Sequence, residues 1–173
     1  MSIALPRMRP TARKTALTAH VVLSVGWLGL DLGLLTLGLT ALVSGDPTTT
    51  RAAYVAMDLL GGTWLVVVAI GSLATGLLVS LGTHWGLVRY RWVLTKLVLT
   101  MGAATATVFA LRPGLHEAAT RAAATPAGAQ VNVGDVAVQL AIAPSVALVL
   151  YLTMTVLSVF KPWGRTRWGR SRN

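Results

Sequence analysis

The sequence lacks cysteine and has few acidic residues. Its 173 residues include no Cys, three His, and five Asp or Glu against 15 Lys or Arg. The absence of Cys excludes a disulfide framework, iron–sulfur ligation and thiol redox chemistry, and three His without Cys give no zinc-site spacing. Glycine-rich phosphate loops, a nucleophile elbow and transporter-like inverted repeats are also missing. None of these enzyme and transporter classes is therefore indicated.

Long apolar runs are what the sequence has instead. Hydrophobic residues make up 54% of the chain, charged residues 12%, and the mean hydropathy is +0.68. Each run reaches the roughly 20 residues needed to cross about 30 Å of hydrocarbon. With their short connections they predict an all-α integral membrane protein, an antiparallel four-helix bundle. The predicted helices are about 15–44, 52–82, 90–111 and 136–160.

The distribution of basic residues predicts the orientation. Eleven Lys and Arg residues fall on the side of the termini, and three (Arg51, Arg112 and Arg121) fall on the other. By the positive-inside rule both termini are cytoplasmic, in a multi-pass protein of the cell membrane. Residues 1–14 and 161–173 are then basic cytoplasmic segments, so the net charge of +10 reflects topology and no nucleic-acid partner is expected. Within the external connection 112–135, Pro113 is predicted to begin a short helix.

Polar residues form one stripe on the first helix. His20, Ser24, Trp27 and Asp31 lie within roughly 40° of one another at about 100° per residue. A carboxylate inside the membrane costs about 2.5–3.5 kcal/mol on insertion scales, so Asp31 is a functional candidate. Asp58 on the second helix is expected at the same depth. If they face each other, the two are a predicted acid–base pair for a lipophilic substrate; alternatively, each carboxyl group is hydrogen-bonded and holds the helices in register.

A second polar group is predicted in the cytoplasmic half. His20 is a candidate axial ligand of a haem iron, with His84 as a second ligand on the same side of the membrane. Lys96 or Arg89 would meet the carboxylates of the haem, and Trp27 and Trp92 complete this predicted cofactor site. Alternatively, His20 is an ordinary hydrogen-bonding residue and Lys96 extends to the lipid headgroups.

Small residues predict close helix packing. Gly26, Gly29 and Gly33 form a strip opposite the polar stripe, and Ser72, Gly76 and Ser80 repeat at four-residue spacing. Such faces let helices approach closely. The sequence leaves open whether they pack within one chain or form a homo-oligomer through the glycine-rich faces.

Two motifs resemble a known superfamily. The first is the stretch 19–29, in which His20 is followed by Trp27-Leu28-Gly29, and the second is the Trp-x3-Lys element that ends at Lys96. They resemble the superfamily of the copper-resistance protein D membrane domain and the HemJ-type protoporphyrinogen oxidase. The chain looks closest to an actinobacterial family of small four-helix membrane proteins in that group. The resemblance covers most of 12–112 and implies a tetrapyrrole, copper or redox connection through His20 and Lys96.

Three functions are predicted, in order. The first is a membrane redox protein that binds haem b or a related tetrapyrrole, with His20 as the metal ligand. The second is a cofactor-free membrane enzyme that uses Asp31 and Asp58 on a lipophilic substrate or a quinone. The third is a non-catalytic assembly subunit. In each case the lipid bilayer is a predicted partner.

Overall fold

The computed structural model describes residues 8–83 and 85–167, and within them it is helical without any β-strand. Four helices are long and apolar enough to cross a membrane. The prediction of an all-α chain with four such helices is confirmed. Residues 1–7, His84 and 168–173 lie outside the described residues; they include parts of both predicted basic segments and one predicted haem ligand. The helices are α1 (Pro10–Val43), α2 (Pro47–Leu81), α3 (Arg91–Ala124) and α4 (Val136–Phe160).

Proline and a capping carboxylate begin the first two helices earlier than the hydrophobic pattern predicts. Pro10 stands at the start of α1, where its missing N–H leaves no hydrogen bond unmade. The Asp46 carboxylate caps α2 by accepting from Thr48 N at 3.2 Å and from Thr49 N at 2.9 Å. α1 and α2 therefore begin five residues before the predicted positions, whereas α4 covers the predicted 136–160.

α3 is longer than predicted because a proline does not end it. The sequence prediction ends this helix at 111 and begins a separate one at Pro113. In the structure a π-helical segment, Thr107–Leu111, precedes this proline and the helix continues to Ala124. A π-turn changes the backbone hydrogen bonds from the i→i+4 to the i→i+5 pattern. The N–H that Pro113 lacks therefore falls where the regular α-helical hydrogen bonds are already interrupted. A second π-helical segment, Leu60–Leu65, lies in α2.

α1 is the central helix of the bundle. It packs against both halves of α2 and against α4, while α3 packs mainly against α2. α1 comes close to α4 at Gly38, where a Cβ would lie 2.8 Å from the Leu140 carbonyl oxygen. All four helices contribute large, fully buried apolar side chains to the core: Leu34, Met57, Leu65, Leu115 and Leu140.

The two strips of small residues have different surroundings. On α2, Ser72 is buried, and a Cβ at Gly76 would lie 3.1 Å from the ring of His20. This strip therefore packs against α1 within the chain. On α1, a Cβ at Gly29 or Gly33 would meet no described heavy atom within 4 Å.

The connection between α2 and α3 is held from two sides. Met8 N donates to Gly82 O at 3.3 Å, just before α1 begins. Thr166 N donates to Arg89 O at 3.0 Å, shortly after α4 ends. The start of α1, the α2–α3 connection and the segment after α4 thus meet at one end of the bundle.

Large apolar side chains cover the outer faces of the helices. Val22, Trp64, Phe109 and Leu152 are each more than 60% exposed. In water such a surface would be an extensive apolar patch, whereas lipid chains cover it favourably. The helix lengths and this surface are those of a multi-pass membrane protein in contact with a lipid bilayer.

Candidate functional site

A cavity of about 550 Å³ lies between the four helices, beside the α2–α3 connection. Four of the six residues predicted to bind a cofactor line it: His20, Trp27, Trp92 and Lys96. Leu and Val side chains from α1, α2 and α3 form much of the remaining wall. Cofactor and small-molecule sites usually have volumes of about 300–1,000 Å³ and mostly apolar walls with a few polar groups. The cavity therefore meets the general description of a ligand site.

His20 is oriented by α2. Its Nδ1 lies 3.1 Å from Ser72 O and 3.2 Å from Thr75 Oγ1. A carbonyl oxygen only accepts hydrogen bonds, so these contacts assign the proton to Nδ1 and leave a lone pair on Nε2 of the neutral ring. Thr75 Oγ1 donates to Gly71 O at 2.7 Å, so its oxygen accepts from the imidazole. None of the described residues forms a hydrogen bond with Nε2, which is available to a ligand in the cavity.

Lys96 brings a cation to the same cavity from α3. Its Nζ donates to Ser158 Oγ at 2.5 Å, and Ser158 Oγ donates to Met154 O at 2.9 Å. Lys96 also lies close enough to His20 for its charge to act on the imidazole. An ammonium group has three N–H donors, and the serine takes one of them. The other two can serve an anionic group of a ligand.

Aromatic rings stand in two parts of the wall. Trp27 of α1 is 3% exposed and meets Tyr151 of α4 edge to face, with centroids 5.5 Å apart at 81°. Trp85 of the α2–α3 connection meets Trp92 of α3 in a similar geometry, at 5.2 Å and 72°. Edge-to-face contacts fix these large side chains in place. Trp27, Trp85 and Trp92 all line the cavity, so aromatic side chains held in place form part of its apolar wall.

Two predicted cofactor residues do not contribute to the described wall. Arg89 is exposed in the α2–α3 connection and is not among the described residues that line the cavity. His84 lies outside the described residues. Of the two predicted axial ligands, the described structure therefore places His20 alone in the cavity.

The two predicted acid–base residues have different partners. Asp31 is 1% exposed and interacts with Tyr151 of α4. Asp58 Oδ2 lies 3.5 Å from His116 Nδ1 of α3, beside a second cavity of about 480 Å³ that Arg112 also lines. No contact among the described residues joins the two carboxylates, so a mechanism that needs them side by side has no geometric support.

Sequence reasoning missed the polar residues that hold the predicted ones. Ser72 and Thr75 orient the predicted histidine, and Ser158 holds the predicted lysine. The small-residue spacing of α2 predicts a packed face but not the hydrogen bonds made on it. On α4, Tyr151 and Ser158 stand seven residues apart on one helical face. That spacing is the signal that could have identified them.

The described residues contain no group of three or more His, Cys, Asp or Glu that could hold a metal ion. A single imidazole is nevertheless enough as the protein ligand of a metal held by a macrocycle, as in many haem proteins.

Comparison of the chain with protein-family models, with curated proteins and with solved structures gave no match. The class that the structure defines is a multi-pass helical membrane protein with a cavity between its helices, and the superfamily resemblance stays a prediction.

Proposed function

We propose that this chain binds haem b or a related tetrapyrrole in the cavity, where His20 Nε2 would hold the metal. The observation that carries the proposal is the contact between His20 Nδ1 and Ser72 O, at 3.1 Å. Metal-binding histidines generally donate their other ring N–H to a carbonyl or a carboxylate, which fixes the ring and makes the ligating nitrogen more basic. A haem bound there would supply one-electron redox chemistry.

The other residues of the cavity fit the same ligand. Trp27 and Trp92 contribute to the apolar wall, and the volume of about 550 Å³ lies in the range of cofactor sites. The Lys96 ammonium suits a carboxylate of the tetrapyrrole, and Ser158 holds that ammonium in position. The residues present thus offer a ligand nitrogen, a counter-ion and an apolar enclosure.

An antiparallel bundle with both termini on the cytoplasmic side of the cell membrane is part of the proposal. The contact between Met8 and Gly82 and the contact between Thr166 and Arg89 support it, because they bring both ends of the chain to the α2–α3 connection. The excess of Lys and Arg on that side supports the cytoplasmic assignment. In this orientation the cavity opens in the cytoplasmic half of the membrane.

Absorption spectroscopy tests the proposal directly. The protein is expressed in haem-replete cells, purified in detergent and titrated with haemin. The wild-type protein should show a Soret band that is absent from His20→Ala. His116→Ala is the matched control, because His116 is 77% exposed and its contact is with Asp58. Its Soret band should match that of the wild type.

Circular dichroism and free imidazole separate ligand loss from unfolding. His20→Ala should keep its helical content, and added imidazole should restore its Soret band by occupying the place of the missing ring. Folded wild-type protein that stays colourless with added haemin would overturn the proposed function. A Soret band unchanged in His20→Ala would overturn the ligand assignment.

A further inference from the structure

Asp31 is a buried carboxyl group that the proposed haem site does not use. Asp31 is 1% exposed, and its Oδ2 has no hydrogen-bond partner among the described residues. Neither salt bridge of the described residues involves it. Leaving such a group unpaired in the membrane is costly, and polar groups kept there are functional candidates.

Tyr151 connects this carboxyl group to the cavity. It lines the cavity wall, and its hydroxyl also lacks a hydrogen-bond partner among the described residues. Trp27 lies one helical turn before Asp31 on α1 and its ring centroid is 5.5 Å from that of Tyr151, so the phenol stands beside the part of α1 that carries Asp31 and interacts with its carboxyl group. The edge-to-face contact with Trp27 holds the phenol ring in place. Both groups thus have a buried oxygen without a hydrogen-bond partner among the described residues, and Tyr151 lines the cavity whereas Asp31 is buried outside its wall.

We propose that Asp31 is a proton-binding site loaded from the cavity through the Tyr151 hydroxyl. The hydroxyl oxygen takes a proton from water or a ligand in the cavity while its own O–H proton passes to the Asp31 carboxylate. Tyr151 is neutral before and after the transfer, and one proton moves in all. The reverse sequence returns the proton.

The proposal gives the cavity two different ends. His20 and Asp31 are eleven residues apart on α1, which corresponds to about 16 Å along the helix. His20, Lys96 and Tyr151 all line the cavity, so a ligand held by the first two can exchange a proton with the third. The inference rests on the cavity of the proposed function and does not require that haem fill it.

Infrared spectroscopy of the detergent-purified full chain tests the proposal. A protonated carboxyl group gives a C=O band, and the band of Asp31 is the one that Asp31→Asn removes. Transfer from H₂O to D₂O should shift this band quickly in the wild type. In Tyr151→Phe the shift should be slower by about tenfold or more, a barrier higher by about 1.4 kcal/mol.

Two further variants keep the test decisive. Tyr54→Phe is the matched control, because Tyr54 is 3% exposed but does not line the cavity, and its exchange should match the wild type. Thr155→Leu narrows the cavity one turn after Tyr151 and should also slow exchange, so it serves if the phenylalanine variant does not fold. Exchange equally fast in all folded variants, or no band removed by Asp31→Asn, would overturn the proposal. Neither result depends on the Soret band, so the haem proposal stands or falls separately.

Discussion

One methyl group added at Gly76 should loosen the histidine that we assign as the ligand. A Cβ at this position would lie 3.1 Å from His20 Cε1 and 3.5 Å from His20 Nδ1. Carbon atoms in good contact are about 3.5–4.0 Å apart, so the ring has to move by roughly 0.4–0.9 Å. The Nδ1 to Ser72 O distance is already 3.1 Å, and such a movement away from α2 takes it beyond the usual range for a hydrogen bond.

The expected loss of affinity follows from that hydrogen bond. A neutral hydrogen bond contributes about 0.5–1.5 kcal/mol net, which corresponds to roughly 2- to 13-fold in Kd. Gly76→Ala should therefore weaken haem binding by about this factor. The substitution also changes helix propensity by about 0.5–1 kcal/mol, and this effect has to be separated from the movement of the ring. Gly29→Ala is the control for helix propensity alone, since its Cβ would meet no described atom within 4 Å.

Haemin titrations of the three proteins, followed by Soret absorbance, give the comparison. Wild type and Gly29→Ala should share one Kd, and Gly76→Ala should have the higher value. Equal affinity of all three proteins for haem would contradict the predicted displacement of the His20 ring. The prediction is also wrong if both alanine variants weaken binding to the same extent, because the effect would then come from the helices and not from the imidazole.

Three further predictions, made with four substitutions, test other parts of the structure. Gly38→Ala should cost about 1–3 kcal/mol of stability in thermal unfolding, because its Cβ would lie 2.8 Å from an α4 carbonyl oxygen. Gly33→Ala, with open space around its Cβ, should unfold like the wild type; equal losses would contradict the packing described. Lys96→Met removes a charged donor worth about 1.5–3 kcal/mol, so the Kd for haem should rise roughly 13- to 160-fold while binding of haem dimethyl ester stays unchanged. A similar loss with the ester would argue against a carboxylate at this lysine. Hydrogen bonds from the side chain and backbone of Thr49, with one from the backbone N–H of Thr48, hold the pKa of Asp46 below its usual value. Because the folded pKa is the lower one, the stabilisation is present above the unfolded pKa of about 3.9 and is lost as pH falls through the folded pKa. Thermal melts from pH 7 downwards should therefore show an acid loss in the wild type that Asp46→Asn lacks, and parallel curves would refute this.

The four apolar helices could be predicted because hydropathy is a property of the local sequence. The continuation of α3 could not, since Pro113 normally ends a helix and the π-helical segment before it depends on the backbone hydrogen-bond register. The early start of α2 could have been predicted, because Asp46 followed by Pro47 is a typical capping pair. These ends differ from the prediction because hydropathy reports the apolar interior of a helix and not its caps.

At the candidate site, the depth of each residue along its helix could be predicted from the sequence, but the rotation of each helix about its own axis could not. His20 and Lys96 do line one cavity, as their similar depth predicts. Depth also predicts Asp31 and Asp58 in one layer but leaves open whether they face each other; in α2 Met57 is fully buried, while the neighbouring Asp58 is 28% exposed and contacts α3. Neighbouring residues of a helix point about 100° apart, so a small error in rotation exchanges a core residue for a surface one. No pattern in the sequence fixes that angle.

The polar stripe of α1 contacts two different helices. Ser24 Oγ lies 2.8 Å from Ser72 Oγ of α2, beside the histidine, whereas Trp27 and Asp31 meet Tyr151 of α4. α1 runs as one α-helix from Pro10–Val43, while α2 and α3 each contain a π-helical segment and α4 contains Pro144. π-turns and internal prolines are the places where helices bend. The spacing between His20 and Asp31 is therefore set by one continuous helix, whereas the described irregularities at which a helix can bend lie in the other three helices around the cavity.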